Sequence, residues 1–147
     1  MIMLVQRVEH ASVTINNEIY NQINNGLLVL VGIHKNDNLN DIEYLINKLI
    51  GLRIFNDDQN KMNLSVKDVN GELMIISQFT LIANTKRGLR PSFTEASEPS
   101  SAQKLYNILL QKLNQYNLIV KSGKFGADMK VQLNNIGPAT FILNSKN

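Results

Sequence analysis

The chain has 147 residues, 44% hydrophobic and 18% charged, the balance of an ordinary globular domain with bulk enough for a real core. The absence of cysteine excludes a disulfide scaffold, a four-cysteine zinc centre and a thiol nucleophile. A net charge of +3 is mildly basic, compatible with a polyanionic partner without demonstrating one.

The opening "MIMLV" is apolar but is cut off at once by Gln6, Arg7 and Glu9, so it does not read as a signal peptide. Residues 4–15 read as a strand, with Ala11, Val13 and Ile15 alternating against Ser12 and Thr14. Asn16-Asn17 makes a turn, "EIYNQI" a second strand, and "NNG" turns again into the apolar run 26–33. That run is far too short to span a bilayer, and its uniform apolarity predicts a strand covered on both faces at the centre of a sheet. The period then changes. Ile42, Leu45, Ile46, Leu49 and Ile50 form the stripe of an amphipathic helix, and Asn40 with Glu43 predicts its capping box.

"RIF" begins a further strand, "NDDQNKMN" and "DVNG" are turn-rich, and "ELMIISQFTLI" (72–82) predicts a strong buried strand. The polar stretch "ANTKRGLRPSFTEASEPSS" is a loop of a length that is usually functional or mobile. "SEPSS" supplies caps for a second helix over 101–116, with Leu105, Ile108, Leu109 and Leu113 on one face. From Leu118 onward the pattern is β again; "MKVQL" and "ATFIL" read as two strands joined by a hairpin or bend. The asparagine pairs at 16–17, 24–25 and 134–135 read as turns. The predicted order is β-β-β-α-β-β-α-β-β-β. The fold class is α+β, a mixed, mostly antiparallel, barrel-like sheet with two packed helices in one domain, residues 1–147.

Conventional chemistry is hard to find. His10 and His34 stand in no zinc-type spacing and read as structural or solvated, and neither a G-x-S-x-G elbow nor a P-loop is present. Ser77, Gln78, Phe79 and Thr80 either line a site at a strand end or satisfy hydrogen bonds where the strand leaves the sheet. Lys86, Arg87 and Arg90, near Phe93, either contact phosphates or form a solvated basic loop. Phe125 and Met129 belong either to an apolar pocket or to the core. Gly137-Pro138 interrupts the last strand region, as a bend or as a cis bond of the kind about 5% of X-Pro peptides adopt.

Together these stretches resemble one family. "SQFTL" (77–81) and "NIGPAT" (135–140) are similar to the two signature motifs of the D-aminoacyl-tRNA deacylases. "LVQRVEHASV", "GLLVLVGI", "KMNLSV", "RGLRPSF" and "FGADM" stand where that family has similar stretches, so the resemblance runs from end to end. Ala139 departs from it, since valine is usual after the Gly-Pro in the bacterial pattern.

The resemblance implies a cytoplasmic enzyme that hydrolyses D-aminoacyl-tRNA, with glycyl-tRNA as a secondary substrate, and that rejects L-aminoacyl-tRNA. It implies a homodimer acting on the 3′-terminal aminoacyl-adenosine of tRNA, with no cofactor, metal, DNA or membrane partner. Ser77, Gln78, Phe79 and Thr80 would form the catalytic strand end. A cis Gly137-Pro138 would enter the partner subunit's site, supported by Arg7; Phe125, Ala127 and Met129 would line the pocket, and Lys86, Arg87 and Arg90 would contact tRNA. Two alternatives remain at this point: a related deacylase for a small L-amino acid mischarged on tRNA, and a non-catalytic RNA-binding module.

Overall fold

The structure, a computed structural model, describes residues 1–146. Its axis is β1 (Ile2–Ile15), in which Met3, Val5, Val8, Ala11 and Val13 are fully buried. Asn16 and Asn17 both take left-handed φ, 52° and 66°, the geometry of a two-residue hairpin turn whose twist suits the flanking strands. The chain returns as β2 (Glu18–Ile23), with Ile15 opposite Glu18 and Ala11 opposite Ile23. β3 (Gly26–Gly32) continues along the same edge of β1, from Gly26 opposite Val8 to Gly32 opposite Ile2. The reversal expected at Asn24-Asn25 is therefore absent: β2 and β3 both run antiparallel to β1.

As its apolarity predicts, β3 is a central strand, parallel on its other side to β6 (Glu72–Ser77), which pairs in parallel with the short β7 (Val120–Ser122). β8 (Lys130–Asn144) runs antiparallel along the free edge of β1, from Asn144 opposite Ile2 to Lys130 opposite Thr14. The sheet curls far enough for the Asn21 side chain of β2 to donate to Ser122 O of β7 at 2.7 Å. The result is a mixed, mostly antiparallel sheet, nearly closed into a barrel.

One face carries α1 (Leu39–Gly51) and α2 (Pro99–Leu113). Ile42, Leu45 and Leu49 meet Tyr106, Leu109 and Leu113 over Met3, Val5, Leu27 and Val29, and each buried aliphatic side chain stabilises the fold by about 1.5–3 kcal/mol. A smaller core lies on the opposite face: Val8, Ala11, Val13, Ile23, Leu28, Met74 and Ile76, partly covered by Met129, Val131 and Leu133.

Several expectations shift. The α1 cap lies two residues earlier, where Asn38 Oδ1 accepts from Asn40 N–H and Asp41 Oδ2 accepts from Asn38 N–H, both at 2.9 Å; Asn40 is already in the first turn. α2 starts at Pro99, whose fixed φ and missing N–H suit a first helical position, and it has no side-chain cap. The turn-rich stretch after α1 folds into a small hairpin, β4 (Phe55–Asn56) and β5 (Met62–Leu64). "MKVQL" and "ATFIL" are no hairpin, because both pair antiparallel with β1 as parts of β8. The order is therefore β-β-β-α-β-β-β-α-β-β.

Candidate active site

The parallel ladder of β6 ends at Ser77 opposite Val31, and Gln78 N–H makes one more bond to Val31 O at 2.7 Å. The chain does not continue as a strand to Ile82. It turns at Gln78 into a 3₁₀ turn, Phe79–Ile82. Gly32 explains the departure: a Cβ there would lie 2.9 Å from Leu81 Cβ and 3.3 Å from Gln78 O, so its bare backbone is what lets the turn fold down on β3. Ile82 is buried under the turn, while Phe79 (59% exposed) and Thr80 stand outward.

Beside the turn opens a cavity of about 610 Å³. Ser77, Gln78 and Phe79 line it from one side, and Phe125, Ala127 and Met129 from another, so two segments distant in sequence meet at one site. Its apolar floor includes Ile76 and Val131, the first a member of the smaller core and the second packed against it. Phe125 packs against Tyr106, ring centres 5.7 Å apart. The Tyr106 hydroxyl donates to Ile75 O at 2.8 Å, and burial pushes its pKa up, so it is a neutral donor that anchors the wall. Thr80 is not among the lining residues; its hydroxyl oxygen accepts from Gln78 Nε2.

Sequence reasoning passed over Glu98 and Asp128 and placed Phe93 with the basic loop, yet all three line the cavity. Phe93 meets Phe79 edge-on at 4.9 Å, closing one side of the mouth. Its only signal in the sequence was an aromatic beside cations. Phe93 returns the chain from a loop closed by Asn84 and Ser92, whose backbones exchange hydrogen bonds of 2.8 and 3.0 Å. Lys86, Arg87 and Arg90 lie on the exposed tip and have no carboxylate partner among the described residues. Farther along, Glu95 is tied to Lys35 at 2.9 Å and to His34 Nε2 at 3.2 Å. The Lys35 hydrogen bond and charge hold the Glu95 carboxyl below its usual range. His34 thus serves the loop's anchorage, and His10 is exposed on β1 away from this cavity. Among the described residues no three His, Asp or Glu side chains converge as a metal site would.

The Gly-Pro element lies elsewhere. Opposite β1, Val8 faces Asn135 but Gln6 faces Thr140, so two steps on β1 span five on β8, leaving three residues in excess where an ordinary bulge has one. The excess stands out as a bulge with Gly137 and Pro138 exposed, Ala139 buried and the Gly137–Pro138 bond cis. Arg7, 8% exposed, donates from Nε to Ile136 O at 3.1 Å and from Nη1 to Ile54 O at 2.6 Å and Asn56 Oδ1 at 3.1 Å. Asn134-Asn135 is no turn. Asn135 sits in β8 with its side chain reaching across the bulge, accepting from Ala139 N–H at 2.9 Å and donating to Thr140 Oγ1 at 2.8 Å. Neither Gly137 nor Pro138 lines the cavity of its own chain.

Similarity to known proteins covers the whole of this framework. The family described as D-Tyr-tRNA(Tyr) deacylase matches residues 4–144. The chain is 51% identical over 146 residues to a D-aminoacyl-tRNA deacylase of Finegoldia magna, covering 99% of each chain. It is 49% identical over 147 residues to one of Thermosipho melanesiensis, covering 99% of this chain and 98% of that one. Its fold superimposes on a solved structure of the c-Myc DNA Unwinding Element Binding Protein with a TM-score of 0.95 and 38% identity, over 100% of both chains.

Proposed function

The chain belongs to the D-Tyr-tRNA(Tyr) deacylase family, and on that premise we propose that it hydrolyses the ester joining a D-amino acid to the 3′-terminal adenosine of tRNA. The products are the free amino acid and reusable tRNA, and the work belongs to the compartment of translation, the cytoplasm. The observation that carries this reading is the meeting of Ser77, Gln78 and Phe79 with Phe125, Ala127 and Met129 around one cavity of about 610 Å³, room for an aminoacyl-adenosine. No metal or cofactor is invoked.

Chirality is read by backbone. In a homodimer, Gly137 and Pro138 of one subunit enter the cavity of the other. Their carbonyls accept from the substrate ammonium and crowd the position an L side chain would take, so the D side chain itself is never inspected. Two observations support this reading: the bulge is exposed, and it stands apart from its own chain's cavity. Glycine has no side chain to reject, so glycyl-tRNA is hydrolysed too.

For the chemical step, the first N–H groups of a 3₁₀ turn have no intrahelical acceptor. Those of Phe79 and Thr80 meet the oxyanion of the tetrahedral intermediate, each donor contributing on the order of 3 kcal/mol. The terminal 2′-OH of the tRNA assists the attacking water. Thr80, hydrogen-bonded to Gln78, positions the turn and does not act as nucleophile. Lys86, Arg87 and Arg90 hold tRNA phosphates.

Incubation with matched D-, L- and glycyl-tRNA, scored by amino acid release, tests the reading. Release from the D and glycyl substrates and not from L is the expected result. Release of a small L-amino acid would instead identify a deacylase of mischarged tRNA, and no release from any substrate would leave an RNA-binding module. Light scattering of the same preparation should give the mass of two chains; a monomer that still discriminates would remove the partner's bulge from the site.

A further inference from the structure

A bulge with three excess residues has lost its ladder partners, and buried backbone groups left unpaired are costly. In this protein side chains take the place of the ladder. On the β8 side, Asn135 alone bridges both ends: its Oδ1 takes the N–H of Ala139, the residue after the Gly-Pro pair, and its Nδ2 donates to Thr140 Oγ1, which Gln6 Nε2 also approaches at 3.4 Å. Ala139 is 3% exposed, so without Asn135 its N–H would face no solvent in compensation.

On the other side the bulge hangs from Arg7 through Ile136 O, and Arg7 is itself aimed by β4. Its contacts are Asn56 Oδ1 in β4 and the carbonyl of Ile54 just before it, both neutral. A guanidinium is a rigid planar fork, so fixing Nη1 fixes where Nε points. Nη2 of the same group lies 3.0 Å from where a Cβ on Gly137 would be, so the fork also forms the wall behind the glycine.

We propose that Asn135 and Asn56 are positioning residues for the chiral test, Asn135 by lacing the bulge across its base and Asn56 by orienting Arg7. The inference rests on the reading that Gly137 and Pro138 perform that test. A displacement of about an ångström in a preorganised site is enough to be felt in rate. What the two asparagines control is selectivity: a loosened bulge no longer crowds the L side chain reliably, while the cavity and the 3₁₀ turn are untouched.

The experiment measures kcat/KM for matched D- and L-aminoacyl-tRNA in Asn135→Ala, Asn56→Ala, the double variant and Gly137→Ala, with thermal midpoints alongside. Each asparagine variant is expected to lower the D-over-L ratio about tenfold. The double variant should fall short of the product of the two, because both act on one bulge. Exchange of the Ala139 amide supplies a readout independent of activity: protected in the parent, exposed in Asn135→Ala, and protected again in Asn135→Asp, which keeps the acceptor and loses the donor. Asn135→Leu, close in volume to asparagine and without either polar atom, stands in where the alanine variant fails to fold; a ratio unchanged from the parent there overturns the proposal. So does an unchanged ratio in a folded Asn135→Ala, or a loss of D and L activity in equal proportion. If Gly137→Ala leaves the ratio unmoved, the chiral reading itself falls and this proposal with it. A ratio that moves in Gly137→Ala but in neither asparagine variant sinks the lacing alone.

Discussion

The cavity and the bulge are built by opposite means. The cavity rests on packed side chains: Ile76 is 1% exposed, Phe125 leans on buried Tyr106, and the 3₁₀ turn lies on a glycine that leaves it room. The bulge has little packing at its tip and is held by two directional bonds, one from Arg7 Nε to Ile136 O and one from Ala139 N–H to Asn135 Oδ1. Packing resists deformation broadly and tolerates substitutions of similar volume, whereas a few directional bonds fix one geometry and fail when one is removed.

The largest expected effect breaks the bulge. Gly137 has φ of +122°, and an added Cβ would meet Arg7 Nη2 at 3.0 Å and Ala139 N at 3.1 Å, so Gly137→Ala must move the tip. D-aminoacyl-tRNA hydrolysis should fall on the order of 100-fold, with a thermal midpoint close to the parent's, as single-turnover assays and calorimetry would show. The counterpart in the cavity is Ile76→Ala. It should destabilise the protein by about 3 kcal/mol in urea unfolding and, on the proposed reading, weaken D and glycyl substrates alike, since it enlarges the cavity floor and leaves the bulge in place. A selective effect of Ile76→Ala would erase the distinction between the two regions.

Asp41 supplies a control outside both. Burial raises its pKa, but the hydroxyl of Ser145, the ammonium of Lys146 and the Asn38 N–H outweigh that and bring it down to about 2 from 3.8. A carboxyl depressed in the folded state stabilises fully above its unfolded pKa and loses that contribution as pH falls through the folded one. Asp41→Asn should therefore cost about 2 kcal/mol at neutral pH, and the difference from the parent should fade between about pH 4 and pH 2, with selectivity unchanged at pH 7. The smallest effect is reserved for Thr80→Ala, expected to keep activity within roughly threefold because one neutral hydrogen bond, to Gln78, is lost. Near-complete loss with intact folding and substrate binding would make Thr80 a participant in the chemistry.

The elements most legible in the sequence were those whose pattern is local. The stripe from Ile42 to Ile50 and the uniform run from Gly26 reported burial directly, and Asn16-Asn17 announced its turn. What escaped was decided at a distance. Leu81 and Ile82 continue the apolarity of β6, so nothing local says that the strand stops; the instruction lies in Gly32, a strand away. Asn135 looked like a turn residue because its partners are a backbone group and a hydroxyl on the far side of the bulge. For the site, Ser77–Phe79 and Phe125–Met129 could be named but not joined by spacing; resemblance joined them, and the fold brings them to one cavity. Phe93 was noted only as an aromatic beside cations, and Glu98 and Asp128 were not singled out as site residues.

The pairing of β1 with β8 has a consequence for how the protein is made. Ile2 opposite Asn144 joins residues from the two extremes of the fold, and such long-range pairing is slow because the loop must close before any contact rewards it. On the ribosome, β1 must wait for β8 with one edge bare and its apolar residues accessible, while β2 and β3 cover the other edge early. The Gly-Pro bulge and Val131 of the cavity floor are both carried by that late strand, so the cavity is completed and the bulge set in place in one docking event.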